Sequence, residues 1–108
     1  MSLELKPGVR IQGLRPETVL ALQIIEGAFR DAGIPMTTIT SGIESSHSRA
    51  SFHYSGAAVD IRTRNVETAK LAPLRAEIAR RLADDFDVVL EGDHLHIEYE
   101  PKKPLSGV

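Results

Sequence analysis

A chain of 108 residues, 42% hydrophobic and 26% charged, has the size and composition of one compact domain, which excludes a disordered chain and leaves little room for a second core. Its formal net charge of −2, with no massed block of Lys and Arg, gives no electrostatic basis for nucleic-acid binding. The absence of cysteine excludes a disulfide framework, a cysteine-based zinc finger and a thiol nucleophile.

No apolar run approaches the roughly 18 residues of a membrane span. The first ten residues contain no apolar leader segment, so the chain is expected to be cytoplasmic as synthesised. Residues 1–14 read as an irregular lead-in with a turn at Pro7-Gly8 and one short strand, where Val9 and Ile11 alternate with Arg10 and Gln12. A helix is expected from about Arg15, with Pro16 suited to its first position and Glu17 to the positive end of its dipole. Its apolar stripe is read as Val19, Leu22, Ile25 and Phe29, widened by Leu20 and Ile24, and Gly33 followed by Pro35 ends it.

Met36 to Thr40 is short and β-branched, and reads as a strand entering a Ser41-Gly42 turn. Ile43 to Tyr54 is rich in Ser, His, Arg and Glu without an apolar period, which predicts a long surface loop of the functional kind. Ala57 to Arg62 is the next strand, with Ala58, Asp60 and Arg62 on one face and Val59 and Ile61 on the other. A second helix follows, with Asn65 as its cap and Glu67 in its first turn. Leu71, Leu74, Ile78 and Leu82 form its buried stripe, and Pro73 is expected to kink or split it. Phe86 to Glu91 and His94 to Tyr99 then form a hairpin about Gly92-Asp93, and a loose tail follows Pro101. The fold class expected is α+β: an antiparallel sheet with two helices packed on one side, in a single domain spanning the chain.

The four histidines, His47, His53, His94 and His96, are concentrated around two acids. An acid within a small apolar strand is costly unless something pairs with it, so Asp60 asks for a cation. A catalytic zinc commonly takes three His, Asp or Glu ligands at about 2.0–2.2 Å and leaves a position for water. His53, Asp60 and His96 supply such a set, and Asp93, three residues before His96, is the best-placed carboxylate to move a proton. H-x6-D and H-x-H are each weak signals, and their combination is what points to a metal. A developing oxyanion needs a second donor, for which Arg49 comes first and Arg62 second.

Ser51-Phe-His53-Tyr-Ser-Gly56-Ala-Ala58-Val-Asp60 resembles the S-x-H-x-x-G-x-A-x-D motif of the zinc D-Ala-D-Ala carboxypeptidase family. That family includes vancomycin-resistance D,D-dipeptidases and phage L-alanyl-D-glutamate endolysins, and is related to the hedgehog signalling domain. The resemblance covers about Ile39 to Tyr99 and implies a hedgehog/D,D-peptidase-like fold. It implies His53, Asp60 and His96 as ligands of one Zn2+, Asp93 as the catalytic acid/base, and His94 as a residue beside the metal. The implied activity is hydrolysis of a D-Ala-D-Ala or L-Ala-D-Glu bond in peptidoglycan stem peptides, performed at the cell wall after release. Relatives commonly carry S-G-x-R before the first block; this chain has Ser41-Gly42-Ile43-Glu44, an acid at the arginine position. The alternative is a zinc-stabilised binding module or phage structural module without turnover.

Overall fold

The computed structural model describes residues 2–43 and 56–101. In chain order the elements are β1 (Ser2–Leu5), α1 (Pro16–Asp31), β2 (Met36–Ser41), β3 (Ala58–Arg62), α2 (Thr68–Leu82), a single 3-10 turn at Ala83–Asp85, β4 (Phe86–Glu91) and β5 (His94–Tyr99). The architecture is α+β, with a five-stranded sheet in the order β1-β2-β3-β5-β4. The sheet is mixed, which corrects the expectation of an antiparallel one. β1 and β2 run parallel, from Ser2 opposite Met36 to Leu5 opposite Ile39, and the remaining pairs are antiparallel. The cause is the crossover: α1 lies between β1 and β2, and a strand re-entering after a helix can run parallel where a tight hairpin cannot.

The first strand is Ser2–Leu5, not the expected run at Val9 and Ile11, which instead pack half-buried against the core. Pro7-Gly8 does form a turn, closed by the Val9 N–H donating to the Lys6 carbonyl at 3.0 Å. The helix α1 begins as expected, with Pro16 at its start and Arg15 before it. It ends in a paired cap: the Ile34 N–H donates to the Phe29 carbonyl and the Gly33 N–H to that of Arg30, both at 2.9 Å, with Gly33 at φ +82°.

Its buried stripe differs from the expected one. Thr18, Ala21, Leu22, Ile25, Ala28 and Phe29 face the core, while Val19, Leu20 and Ile24 are exposed. Small residues on the inner side let the helix approach its neighbours, so size alone misled the reading. The second helix is continuous from Thr68 to Leu82, with Pro73 inside it, so it is not split. Asn65 does not cap it; its Nδ2 donates to the Met36 carbonyl at 2.9 Å instead.

Both helices cover one face of the sheet. Their buried side chains meet Ile39, Val59, Ile61, Val88, Leu95 and Ile97 in one cluster. Each fully buried aliphatic or aromatic side chain here contributes on the order of 1.5–3 kcal/mol. The opposite face of β3 and β5 is polar, and that face holds the candidate site.

Candidate metal and catalytic site

Strand alternation sends Val59 and Ile61 into the core and leaves Ala58, Asp60 and Arg62 on the other face of β3. On β5 the same alternation buries Leu95 and Ile97 and leaves His94, His96 and Glu98. Register then pairs them directly: Ala58 with Glu98, Asp60 with His96, and Arg62 with His94. Side chains directly opposite on one face are in contact range.

Gly56 sets where this strand begins. Its φ is +78°, and an added Cβ would lie 2.5 Å from the Gly13 carbonyl oxygen. The Gly56 carbonyl accepts from the Arg15 N–H and from Thr18 Oγ1, both at 3.0 Å, which ties the entry of β3 to the first turn of α1. Ala58 is completely buried opposite Glu98, where a small side chain packs between strands. These two letters of the sequence motif therefore have packing reasons of their own.

Asp60 and His96 are brought into contact. His96 Nδ1 lies 2.8 Å from Asp60 Oδ1, and its Nε2 lies 2.7 Å from Glu98 Oε1. With a carboxylate on each nitrogen, Asp60 first, the imidazole is pushed up to about 9 against the opposing effect of burial. His94 is held by Asp93, with Nδ1 to Oδ1 at 3.0 Å, and its Nε2 lies 3.3 Å from Glu91 Oε1 and 3.7 Å from Asp60 Oδ2. Burial acts to lower the His94 value, but the Asp93, Asp60 and Glu91 carboxylates outweigh it and the net shift is upward. The hydrogen bond from His94 holds Asp93 below the usual carboxylate range, with Lys6 adding to the effect. The Asp93 side chain is 92% exposed.

Of the residues singled out from the sequence, Asp60, Asp93, His94 and His96 therefore lie together, and Arg62 shares their face. His53 and Arg49 lie outside the described residues, as do Ser51, His47, Glu44 and nearly all of the expected loop. The described residues fit a metal by their chemistry: a carboxylate and an imidazole face each other, and a second carboxylate stands behind the ring. A histidine ligand typically donates its other N–H to a carboxylate, the position Glu98 occupies. Glu98 was noted in the sequence only as a neighbour on the strand face. A further group, Asp87, Glu98 and Glu100, also brings three carboxylates close enough to hold a metal ion, although exposed acidic groups often lie together without one.

A cleft of about 480 Å³ opens beside Asp60, lined by Lys6, Thr40, Arg62, Arg64 and Asp93 among others. A bulge in β2 shapes it: pairing steps from Ile39–Ile61 to Ser41–Asp60, so Thr40 is the extra residue. Thr40 Oγ1 lies 3.4 Å from the Asp60 carbonyl oxygen. Lys6 and Arg64 were missed in the sequence. Lys6 reaches the cleft only because β1 crosses over to lie beside β2, and Arg64 does so from the turn just past the end of β3. No family model, curated protein or solved structure gives a significant match to the chain.

Proposed function

We propose that the chain is a zinc-dependent peptidase that hydrolyses a peptide bond in bacterial peptidoglycan stem peptides. The observation that carries the metal part is the register-matched Asp60–His96 contact with Glu98 on the far nitrogen. The substrate class rests on the motif from Ser51 to Asp60. On this reading the sheet and its two helices belong with the hedgehog/D,D-peptidase fold.

Asp60 and His96 would hold the zinc, with His53 as the third ligand that the motif implies, and Glu98 would fix the orientation of the His96 ring. Bound zinc supplies a Lewis acid and an acidified water. Proton movement falls to the Asp93–His94 pair. Asp93 alone is a weak base, being exposed and held in its ionised form. His94, oriented by Asp93 and 3.7 Å from Asp60, is the imidazole placed to give a proton to a leaving amine.

The exposure of Asp93 also favours a second reading, a zinc-stabilised binding module without turnover. Digestion of purified peptidoglycan, with and without chelator and with new termini identified by mass, separates the two. New stem-peptide termini that vanish with chelator support the peptidase. Bound zinc without any new termini supports the module.

A further inference from the structure

We propose that β1 is a dimerisation edge, along which a second copy of this chain pairs antiparallel about a two-fold axis at Leu5; the assignment is independent of the peptidase reading. β1 ends the sheet order and has β2 on one side only. The Ser2 N–H donates to the Pro35 carbonyl at 3.1 Å and the Lys6 N–H to that of Ile39 at 2.9 Å. Backbone groups alternate in direction along a strand, so Leu3 and Leu5 turn their N–H and C=O groups to the open side. Their side chains share a face with Thr37 and Ile39, opposite them on β2, and each is 42% exposed. The far end of the sheet differs. There the Glu100 N–H donates to the Asp85 carbonyl at 2.7 Å, so the same alternation turns Phe86, Val88 and Leu90 of β4 outward. The Val88 carbonyl already accepts from Arg75 Nη1 of α2 at 3.2 Å. One edge is capped from a helix, and the other is a template for a further strand.

Charge complementarity makes a second copy the occupant and selects the register. For the open groups to bond to one another, Leu3 or Leu5 must face Leu3 or Leu5 of the partner. Leu3 opposite the partner's Leu5 would set Glu4 against the partner's Glu4, and like charges directly opposite are unfavourable. Leu3 opposite the partner's Leu3 would set Glu4 against Ser2 and carry the pairing past the start of β1. Leu5 opposite the partner's Leu5 sets Glu4 against the partner's Lys6, and Lys6 against the partner's Glu4. Two pairs of opposite charge then flank two backbone bonds at the axis. Glu4 is already held on that face, since Thr38 Oγ1 donates to its Oε1 at 2.8 Å. The two Leu5 side chains meet on the other face. The contact is isologous, so it closes at a dimer and joins two five-stranded sheets into one. The patch is small, which makes the dimer a weak one.

The test is sedimentation velocity on the full untagged chain across a concentration series. The average sedimentation coefficient should rise from that of a monomer toward that of a dimer and no further. Leu5→Pro removes an outward N–H and no bond to β2, so it should keep the fold and weaken association at least about tenfold. Glu4→Lys and Lys6→Glu each set like charges opposite one another, and each should weaken association by about as much. The double exchange, Glu4→Lys with Lys6→Glu, restores the opposite-charge pairs and should recover wild-type association. A chain that stays monomeric at its highest soluble concentration overturns the proposal and leaves the edge to a strand of another protein. So does association that continues beyond a dimer, survives Leu5→Pro, or is not restored by the double exchange. If Leu5→Pro fails to fold, the charge series decides alone.

Discussion

Ile61 and Asp60 are neighbours on β3, yet they belong to different halves of the molecule. Ile61 enters the face covered by α1 and α2, where it joins the apolar core cluster and its burial is complete. Asp60 enters the other face, among His94, His96, Arg62 and Glu98, and is nearly as buried. The first face is explained by the hydrophobic effect: its residues lower the free energy of the fold by leaving water. The second is not. Burying a carboxylate and an imidazole side by side roughly breaks even at best, and apolar residues of similar volume often do as well or better. A strand that spends its polar face this way gains little stability from it, and the difference tells which substitutions should affect folding and which should affect the proposed binding.

The sharpest break between the faces is the pair of single substitutions at those neighbours. Ile61→Ala should destabilise the fold by about 2–5 kcal/mol in denaturant unfolding, through lost burial and a cavity, while the folded fraction keeps its zinc affinity. Asp60→Asn should do the reverse. Asn keeps the shape and an acceptor for His96, so the metal-free midpoint should move far less, but zinc affinity should fall at least about 100-fold in a competition assay with a chromophoric chelator. Equal destabilisation by the two, with zinc retained in Asp60→Asn, would reduce the polar face to packing.

Glu98→Gln sharpens the comparison within the polar face. It removes the carboxylate behind His96 but none of the proposed zinc ligands, and should weaken zinc by about 10–100-fold. Gly56→Ala probes where the two faces are joined. The new Cβ meets the Gly13 carbonyl oxygen and the left-handed backbone disfavours it, at a cost of about 1–3 kcal/mol. Because that cost falls on the entry of β3, a lowered thermal midpoint is expected together with unchanged zinc binding in the protein that remains folded.

The apolar face and its strands were the more legible in the sequence. Alternation located β3 to within a residue and the β4–β5 hairpin at its observed bounds, because β3 and β5 bury their inner faces and their register cannot slip. The side-by-side placement of Asp60 and His96 followed from the same alternation once the strands were paired. β1 was misplaced because it is an exposed edge strand, with Leu3 and Leu5 open to solvent and no buried face to discipline the pattern. The stripe of α1 was misread where alanines and a threonine, not large apolar side chains, form the contact. Lys6 could not be placed in the cleft without knowing that α1 is a crossover.

The smallest effect expected comes from a charged cluster that resembles the polar face in composition and differs from it in cause. On α2, Glu77 accepts from Arg80 and Arg81, three and four residues on, and Arg81 Nη2 also reaches Asp31 of α1 at 2.8 Å. These are ordinary helix-surface pairs. The bonds from Arg80 and then Arg81 hold Glu77 at about 2, well below its usual 4.5. A carboxylate depressed in the folded state stabilises it above the unfolded value and loses that contribution as pH falls through the folded one. Wild type and Glu77→Gln should therefore differ slightly in thermal midpoint at neutral pH, and the gap should close between about pH 4.5 and pH 2. It should also shrink in high salt, since the pairs are exposed. A gap that stays constant across that range would mean that Glu77 acts through packing on α2, not through its charge. Zinc binding should be untouched in either case, because this cluster lies on the helix side of the sheet.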